Sequence, residues 1–276
     1  MPGAEAQVQE KASGPQAVPS VKENVAELKA GFQKLSKTPD EAQRLMIVRE
    51  LLKHTELVKE GSGLTQLRSV WLLATALHGL LKQFSLKSSN MSPSALRTAA
   101  TAIDLLELLS ARTVRPDLAT DPPVRLLAVD DDAISRRAVA LALKKIFNEP
   151  DIAPAGASAL GLASQHIYDV IFLDIEMPGM DGFELCSRIH ETERNRTTPI
   201  VFVTSHHDFD SRAKSALVGA HDLMGKPFLA FEIAVKALTL VLKTRQARES
   251  QPILSEPEPP KQQQLENRVD ACPALA

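Results

Sequence analysis

Cysteine is nearly absent from this chain: of 276 residues only Cys186, in a helical pattern, and Cys272, in a polar stretch near the end, are cysteines. Two cysteines so far apart exclude a disulfide framework and any cysteine-based metal spacing, and imply a reducing compartment. Long apolar runs are missing as well. No segment is long and apolar enough to span a bilayer, and Met1 to Gln7 lacks the basic start and apolar stretch of a targeting signal. The chain reads as soluble and cytoplasmic, without membrane insertion. An excess of one charge sign is also lacking. With 32 Lys and Arg against 34 Asp and Glu, the net charge of −2 removes the electrostatic case for a nucleic-acid partner. No tandem repeat is present. What remains is enough chain for about two domains, each able to bury a core.

Residues 1–19 are small, polar and punctuated by Pro and Gly, the composition of a disordered leader. A helical region is expected over 20–110. Ser20 and Glu23 have capping-box spacing, and Val21, Val25, Leu28, Phe32 and Leu35 fall on one stripe. That stripe suits an intramolecular core or, equally, an intermolecular seam in a homodimer. Thr38-Pro39-Asp40-Glu41 reads as a second capping box, opening a helix with Leu45, Val48, Leu51, Leu52 and Val58 inward, which Gly61-Ser62-Gly63 should end. From Leu64 to Phe84 apolar residues occupy more than one face, as in a helix buried between others, and Trp71 is expected in the core. Ser92-Pro93 opens a fourth helix with Leu96, Ile103, Leu106 and Leu109 inward. Together these suggest an antiparallel all-α bundle.

Residues 111–123 read as a linker, and beyond it the period changes. Leu126 to Val129, a short strand around Ile152, Asp169 to Leu173, Pro199 to Val203 and His221 to Met224 alternate with helical stretches over 124–246. That is the pattern of an α/β fold with a doubly wound, five-stranded parallel sheet. Residues 247–276, rich in Pro, Gln and Glu, read as a disordered tail.

Each distinctive polar residue of the α/β region falls at the carboxyl end of a strand, where such sheets bind ligands. Asp130, Asp131 and Asp132 end the first strand, Asp174 the third, Thr204 and Ser205 the fourth, and Lys226 follows the fifth. If the first and third strands are neighbours, several carboxylates converge and need a cation to neutralise them. An oxygen-only ligand set in a solvated cleft suits magnesium.

Taken together, Val129-Asp130-Asp131-Asp132, Asp174 with Met177-Pro178-Gly179-Met180-Asp181-Gly182, Thr204 and Lys226-Pro227-Phe228 make the segment resemble a receiver domain of a two-component response regulator. The resemblance implies a flavodoxin-like strand order 2-1-3-4-5. It implies Asp174 as phosphoacceptor, a magnesium site formed by Asp130, Asp131, Asp174 and the Glu176 carbonyl, and phosphoryl-oxygen contacts from Thr204 and Lys226. A cis Lys226-Pro227 bond is also implied. Its partners would be a sensor histidine kinase or phosphotransfer protein and a further, unidentified downstream protein. Such a domain is a signalling switch rather than a turnover enzyme, and no DNA-binding output segment is expected after it. One departure concerns output: many receivers place an aromatic residue three positions before the lysine, where this chain has Leu223.

The helical region more weakly resembles a histidine phosphotransfer bundle with His54 at the active position. In that family a lysine and a glycine follow at three and four residues, where Leu57 and Val58 stand here, so His54 reads as an ordinary bundle histidine. His206-His207-Asp208 reads as a solvated loop rather than a metal cluster. Two alternatives stay open: a phosphorelay intermediate using His54, and a receiver-fold scaffold that is never phosphorylated.

Overall fold

A computed structural model describes residues 20–64, 67–111, 118–205 and 209–250. The expected leader, most of the expected tail, His206, His207, Asp208 and Cys272 lie outside these residues.

The chain begins with α1 (Val21–Lys37), α2 (Glu41–Leu64), α3 (Arg68–Leu86) and α4 (Pro93–Ser110), with a single 3-10 turn, Ser88–Asn90, before α4. Ser20 and Glu23 form the expected capping box, and Ser92 caps α4 with Pro93 in its first turn. Val25, Leu28, Phe32 and Leu35 are buried against α2 and α4 of the same chain.

Three local readings are corrected. Thr38 does not open α2: its hydroxyl donates back to the Lys34 carbonyl at 2.8 Å, and Asp40 accepts from the Gln43 N–H at 2.8 Å instead. Gly61-Ser62-Gly63 does not end α2, which continues to Leu64. Ser62 donates to the Val58 carbonyl at 2.6 Å, and a Cβ at Gly61 would lie 2.7 Å from the Val21 side chain, so close packing on α1 outweighs the helix penalty of glycine. Trp71 is 38 % exposed rather than in the core, because the inward faces of α3 are filled by Val70, Leu73, Leu77 and Leu81.

The second half alternates β1 (Leu126–Val129), α5 (Ala133–Leu143), β2 (Asp151–Ala153), α6 (Gly156–Gln165), β3 (Val170–Leu173), α7 (Gly182–Glu191), β4 (Ile200–Thr204), α8 (Phe209–Leu217), β5 (Asp222–Gly225) and α9 (Ala230–Ser250). All strand pairs are parallel, in the order β2-β1-β3-β4-β5. The fold is therefore the expected α/β architecture, a five-stranded parallel sheet with an all-helical N-terminal region. Every residue of β1, β3 and β4 is buried because helices cover both sheet faces, α6 and α7 on one and α5 and α9 on the other.

The last helix buries apolar residues on two sides. Ile233, Ala237 and Val241 join the sheet-side core, while Val235, Leu238 and Leu242 join the core formed by α1–α4. It also runs past residue 246, to Ser250.

Some buried polar groups are paired in ways no motif announces. The Asn195 side chain, fully buried, accepts from the Tyr168 N–H at 2.9 Å and donates to the Ala163 and His166 carbonyls at 2.6 and 2.8 Å, tying α6 to the start of β3. Burial pushes the Cys186 thiol up to about 12, which leaves it unreactive.

In the helical region the Thr55 hydroxyl donates to the Leu52 carbonyl at 2.8 Å, leaving a lone pair for His78 Nδ1–H at 3.0 Å. Burial holds the His78 imidazole below its ordinary pKa, with Lys59 adding and Glu56 opposing. The unfolded chain therefore binds this proton at higher pH than the folded one, and stability falls as pH drops below about 6.5. His221 is shifted the same way by burial. Urea denaturation should give a lower midpoint at about pH 5.5 than at about pH 7.5, with a smaller difference in His78→Gln. An unchanged difference would place the effect elsewhere.

Candidate functional site

Strand register brings the acids together. β1 pairs Val129 with Leu173 of β3, so the next residues, Asp130 and Asp174, emerge side by side at the carboxyl edge. The Asp174 N–H donates to the Val129 carbonyl at 2.9 Å, which fixes that alignment. One carboxylate oxygen from each of Asp130, Asp131 and Asp174 lies within 4.8 Å of the others. Asp130 and Asp174 are buried, and Asp131 is exposed.

Thr204 reaches the same edge from β4. It pairs with Gly225 of β5, and the Lys226 N–H donates to the Thr204 carbonyl at 2.8 Å. Lys226-Pro227 is cis, as the resemblance implies. The Lys226 ammonium donates to Asp130 Oδ2 and to Asp174 Oδ2, both at 2.7 Å. Glu176 follows in the β3–α7 loop with its residue exposed.

The electrostatics follow from burial and pairing. Burial pushes the Asp130 carboxyl above its usual range, with Asp174 adding and Lys226 opposing. Burial also works against the Lys226 ammonium, but its bonds to Asp130 and Asp174 outweigh that and hold its pKa above the ordinary lysine value.

Loop chemistry supports the cluster from beneath. Asp132 caps α5 through the Ser135 N–H at 2.8 Å, and its own N–H donates to Asp130 Oδ1 at 2.9 Å. The Ile175 N–H donates to Asp174 Oδ1 at 2.7 Å, orienting that carboxylate. After the Pro178-Gly179 turn, where Gly179 has φ +84°, the chain passes directly over the strand end. A Cβ at Gly182 would sit 2.2 Å from the Asp174 carbonyl oxygen, so the glycine lets α7 begin against the acceptor strand. Asp181 caps α7 through the Glu184 N–H at 2.8 Å.

The sequence reading missed Arg136. From the second turn of α5 its guanidinium donates to the backbone carbonyls of Asp130 at 2.5 Å and Asp131 at 3.3 Å, holding the acidic loop in place. Its only sequence signal is position: four residues after the N-cap Asp132, it lies on the face turned back toward the loop.

Leu223, where many receivers have an aromatic residue, is buried in the core between the sheet and α6 and α7, beside Phe202 on the neighbouring strand. His54 is half-buried, with Nδ1 3.1 Å from Asn24 Oδ1, and lies in α2, outside the acidic cluster.

The oxygen-only donor set, with carboxylate oxygens this close, fits a hard divalent cation better than a soft transition metal. Two or three carboxylates beside one ammonium can bind such a cation, orient a nucleophilic oxygen and neutralise a phosphoryl group.

Comparison with known proteins gives the same direction. The family model described as response regulator receiver domain matches residues 126–238. The transcriptional regulatory protein ResD of Bacillus subtilis is 32% identical over 122 residues, covering 44% of this chain and 50% of that protein. The response regulator PleD of Caulobacter vibrioides is 34% identical over 103 residues, 37% of this chain and 23% of PleD. The chain thus spans half the length of the first of these curated relatives and less of the second. Among solved structures, the Vibrio cholerae chemotaxis protein CheY4 is 30% identical with a TM-score of 0.38, covering 45% of this chain and 98% of CheY4.

Proposed function

We propose that this chain, whose residues 126–238 match the family model of the response regulator receiver domain, is a phosphoryl-accepting signalling switch with Asp174 as the acceptor. The observation that carries this reading is the Lys226 ammonium held at 2.7 Å from both Asp130 and Asp174 at the converged strand ends. An Asp174 carboxylate oxygen attacks the phosphorus of a phosphohistidine: the P–O bond forms as the P–N bond breaks, and the imidazole leaves with the electron pair. Thr204 and Lys226 bind the phosphoryl oxygens, and the Ile175 N–H keeps the other acceptor oxygen oriented. Magnesium, held by Asp130, Asp131, Asp174 and the Glu176 carbonyl, would supply neutralisation of the charge on the transferring group.

The donor in this reading is a sensor histidine kinase or a phosphotransfer protein, and the product is a changed set of protein contacts rather than a released metabolite. No helix of the described residues is long and apolar enough to cross a membrane.

Beryllofluoride mimics an acyl phosphate and tests the assignment without a cognate kinase. With magnesium it should shift the amide resonances of Thr204 and Lys226 in the full chain, and leave Asp174→Ala unaffected. No shift in the wild type, or the same shift in the variant, would favour a scaffold that is never phosphorylated.

A further inference from the structure

The site and the helical region are joined by a short, fully placed stretch of chain. Lys226 ends at the acids, Phe228 packs against the sheet-side core, Leu229 packs against the α1–α4 core, and α9 begins at Ala230. The first turn of α9 is seated on α3. The Phe231 ring lies so close to Gly79 that a Cβ there would be 2.3 Å from it, and the Phe231 N–H donates to Gln83 Oε1 at 3.2 Å. The Lys145 ammonium, in the turn that follows α5, sits 5.0 Å from the centre of the same ring, so that turn, α9 and α3 meet at this residue.

Beyond that turn, α9 belongs to both cores through Val235, Leu238 and Leu242 on one side and Ile233, Ala237 and Val241 on the other. Close-packed cores switch between discrete arrangements rather than deforming smoothly, so a shift of α9 on the sheet is felt by its helical partners. Those partners hold it unequally. Apart from Gln83 the α3 side is apolar, whereas the α4 side borders a cavity of about 270 Å³ lined in part by Thr98, Thr101, Asp222, Lys236 and Thr239. Among the described residues the buried hydroxyls of Thr98 in α4 and Thr239 in α9 have no hydrogen-bond partner, and neither has Oε1 of Glu232, 4 % exposed in the first turn of α9. Unpaired buried polar groups weaken an interface, so α4 is the side that yields first.

We propose that the N-terminal helical region is this receiver's own readout partner, with Phe231 in its Gly79 seat carrying the state of Asp174 to the α4–α9 seam. The proposal rests on Asp174 being the acceptor. A phosphoryl group there presents new oxygens to Lys226, whose three N–H donors, two of them now on Asp130 and Asp174, are shared out again among these acceptors. That change passes through Phe228 and Leu229 to the first turn of α9. With Leu223 in place of an aromatic reporter, this path uses the helix rather than a ring rotation in β5.

Hydrogen–deuterium exchange on the full chain, with and without magnesium and beryllofluoride, tests it. Peptides covering Thr204 and Lys226 report the site, and peptides from α3 and α4 report the seam. The expected result is a site response together with exchange in α4 faster by about tenfold or more, both lost in Asp174→Ala. Gly79→Ala and the milder Gln83→Ala, which keeps α3 intact, should retain the site response and blunt that of α4. A site response with unchanged α3 and α4 exchange, or a full α4 response in Gln83→Ala, overturns the inference. Absence of any response at Thr204 and Lys226 instead overturns the acceptor reading, and the inference falls with it.

Discussion

Asp174→Asn should take phosphoryl uptake to background while leaving the protein folded. The substitution keeps the shape of the side chain and the acceptor for the Ile175 N–H, but an amide oxygen is a poor nucleophile and does not form a stable acyl phosphate. Incubation with a phosphorylated donor, or with a small acyl phosphate, followed by intact-mass measurement reads the result directly. Loss through unfolding is separable from loss of chemistry. Asp174 adds to the upward push on the Asp130 carboxyl, so removing its charge relieves repulsion in the metal-free cluster. The Lys226–Asp174 ion pair lost with that charge offsets the gain, while the Lys226–Asp130 pair remains, so the variant should stay folded when metal is withheld, as its urea midpoint checks. Label retained at wild-type level would move the acceptor elsewhere and end the assignment of Asp174.

The second large effect lies at the opposite edge of the sheet and concerns stability. Arg245, 6 % exposed near the end of α9, forms a forked pair with Asp169: Nε to Oδ1 at 2.9 Å and Nη2 to Oδ2 at 3.0 Å. Its Nη1 donates to the carbonyls of Leu118 at 3.2 Å and Pro122 at 2.6 Å. One guanidinium thus ties the last helix to the start of β3 and to the segment that leads into β1. Arg245→Met leaves the Asp169 carboxylate buried without its counter-ion, a loss of about 3–5 kcal/mol for pairs of this kind. Arg245→Lys should recover only part, because a point charge cannot reproduce the fork. The double variant Arg245→Met with Asp169→Asn should cost less than Arg245→Met alone, since the stranded charge is gone while an oxygen remains for the Arg125 N–H. Urea denaturation of the three variants decides it. Equal losses in the single and double variants would mean that packing, not charge, dominates at this position.

The placement of acidic residues at strand ends is legible in the sequence because its signals are local. A strand ending on Asp130 or Asp174 followed by turn residues needs only a few positions to be read, and Ser20, Ser92, Asp132 and Asp181 cap the helices they precede. The local readings that failed did so where another contact competed. Thr38 had an earlier helix carbonyl to bond, Gly61 had Val21 packed against it, and Trp71 was displaced outward by better-fitting neighbours on α3.

By itself the sequence determined the class of fold, the order of helices and strands, and which polar residues stand at strand ends, since each follows from hydrophobic period and end chemistry along neighbouring residues. Only the tertiary structure decided that β1 lies beside β3 and brings Asp130 to Asp174, and that Arg136 braces the acidic loop. It also decided that Arg245 clamps Asp169 across 76 residues and that α9 is shared between two cores. A helix with apolar residues on two sides records that both must be covered. It does not record by what, because burial has no direction along the chain and the covering partner is chosen by packing among all the elements at once.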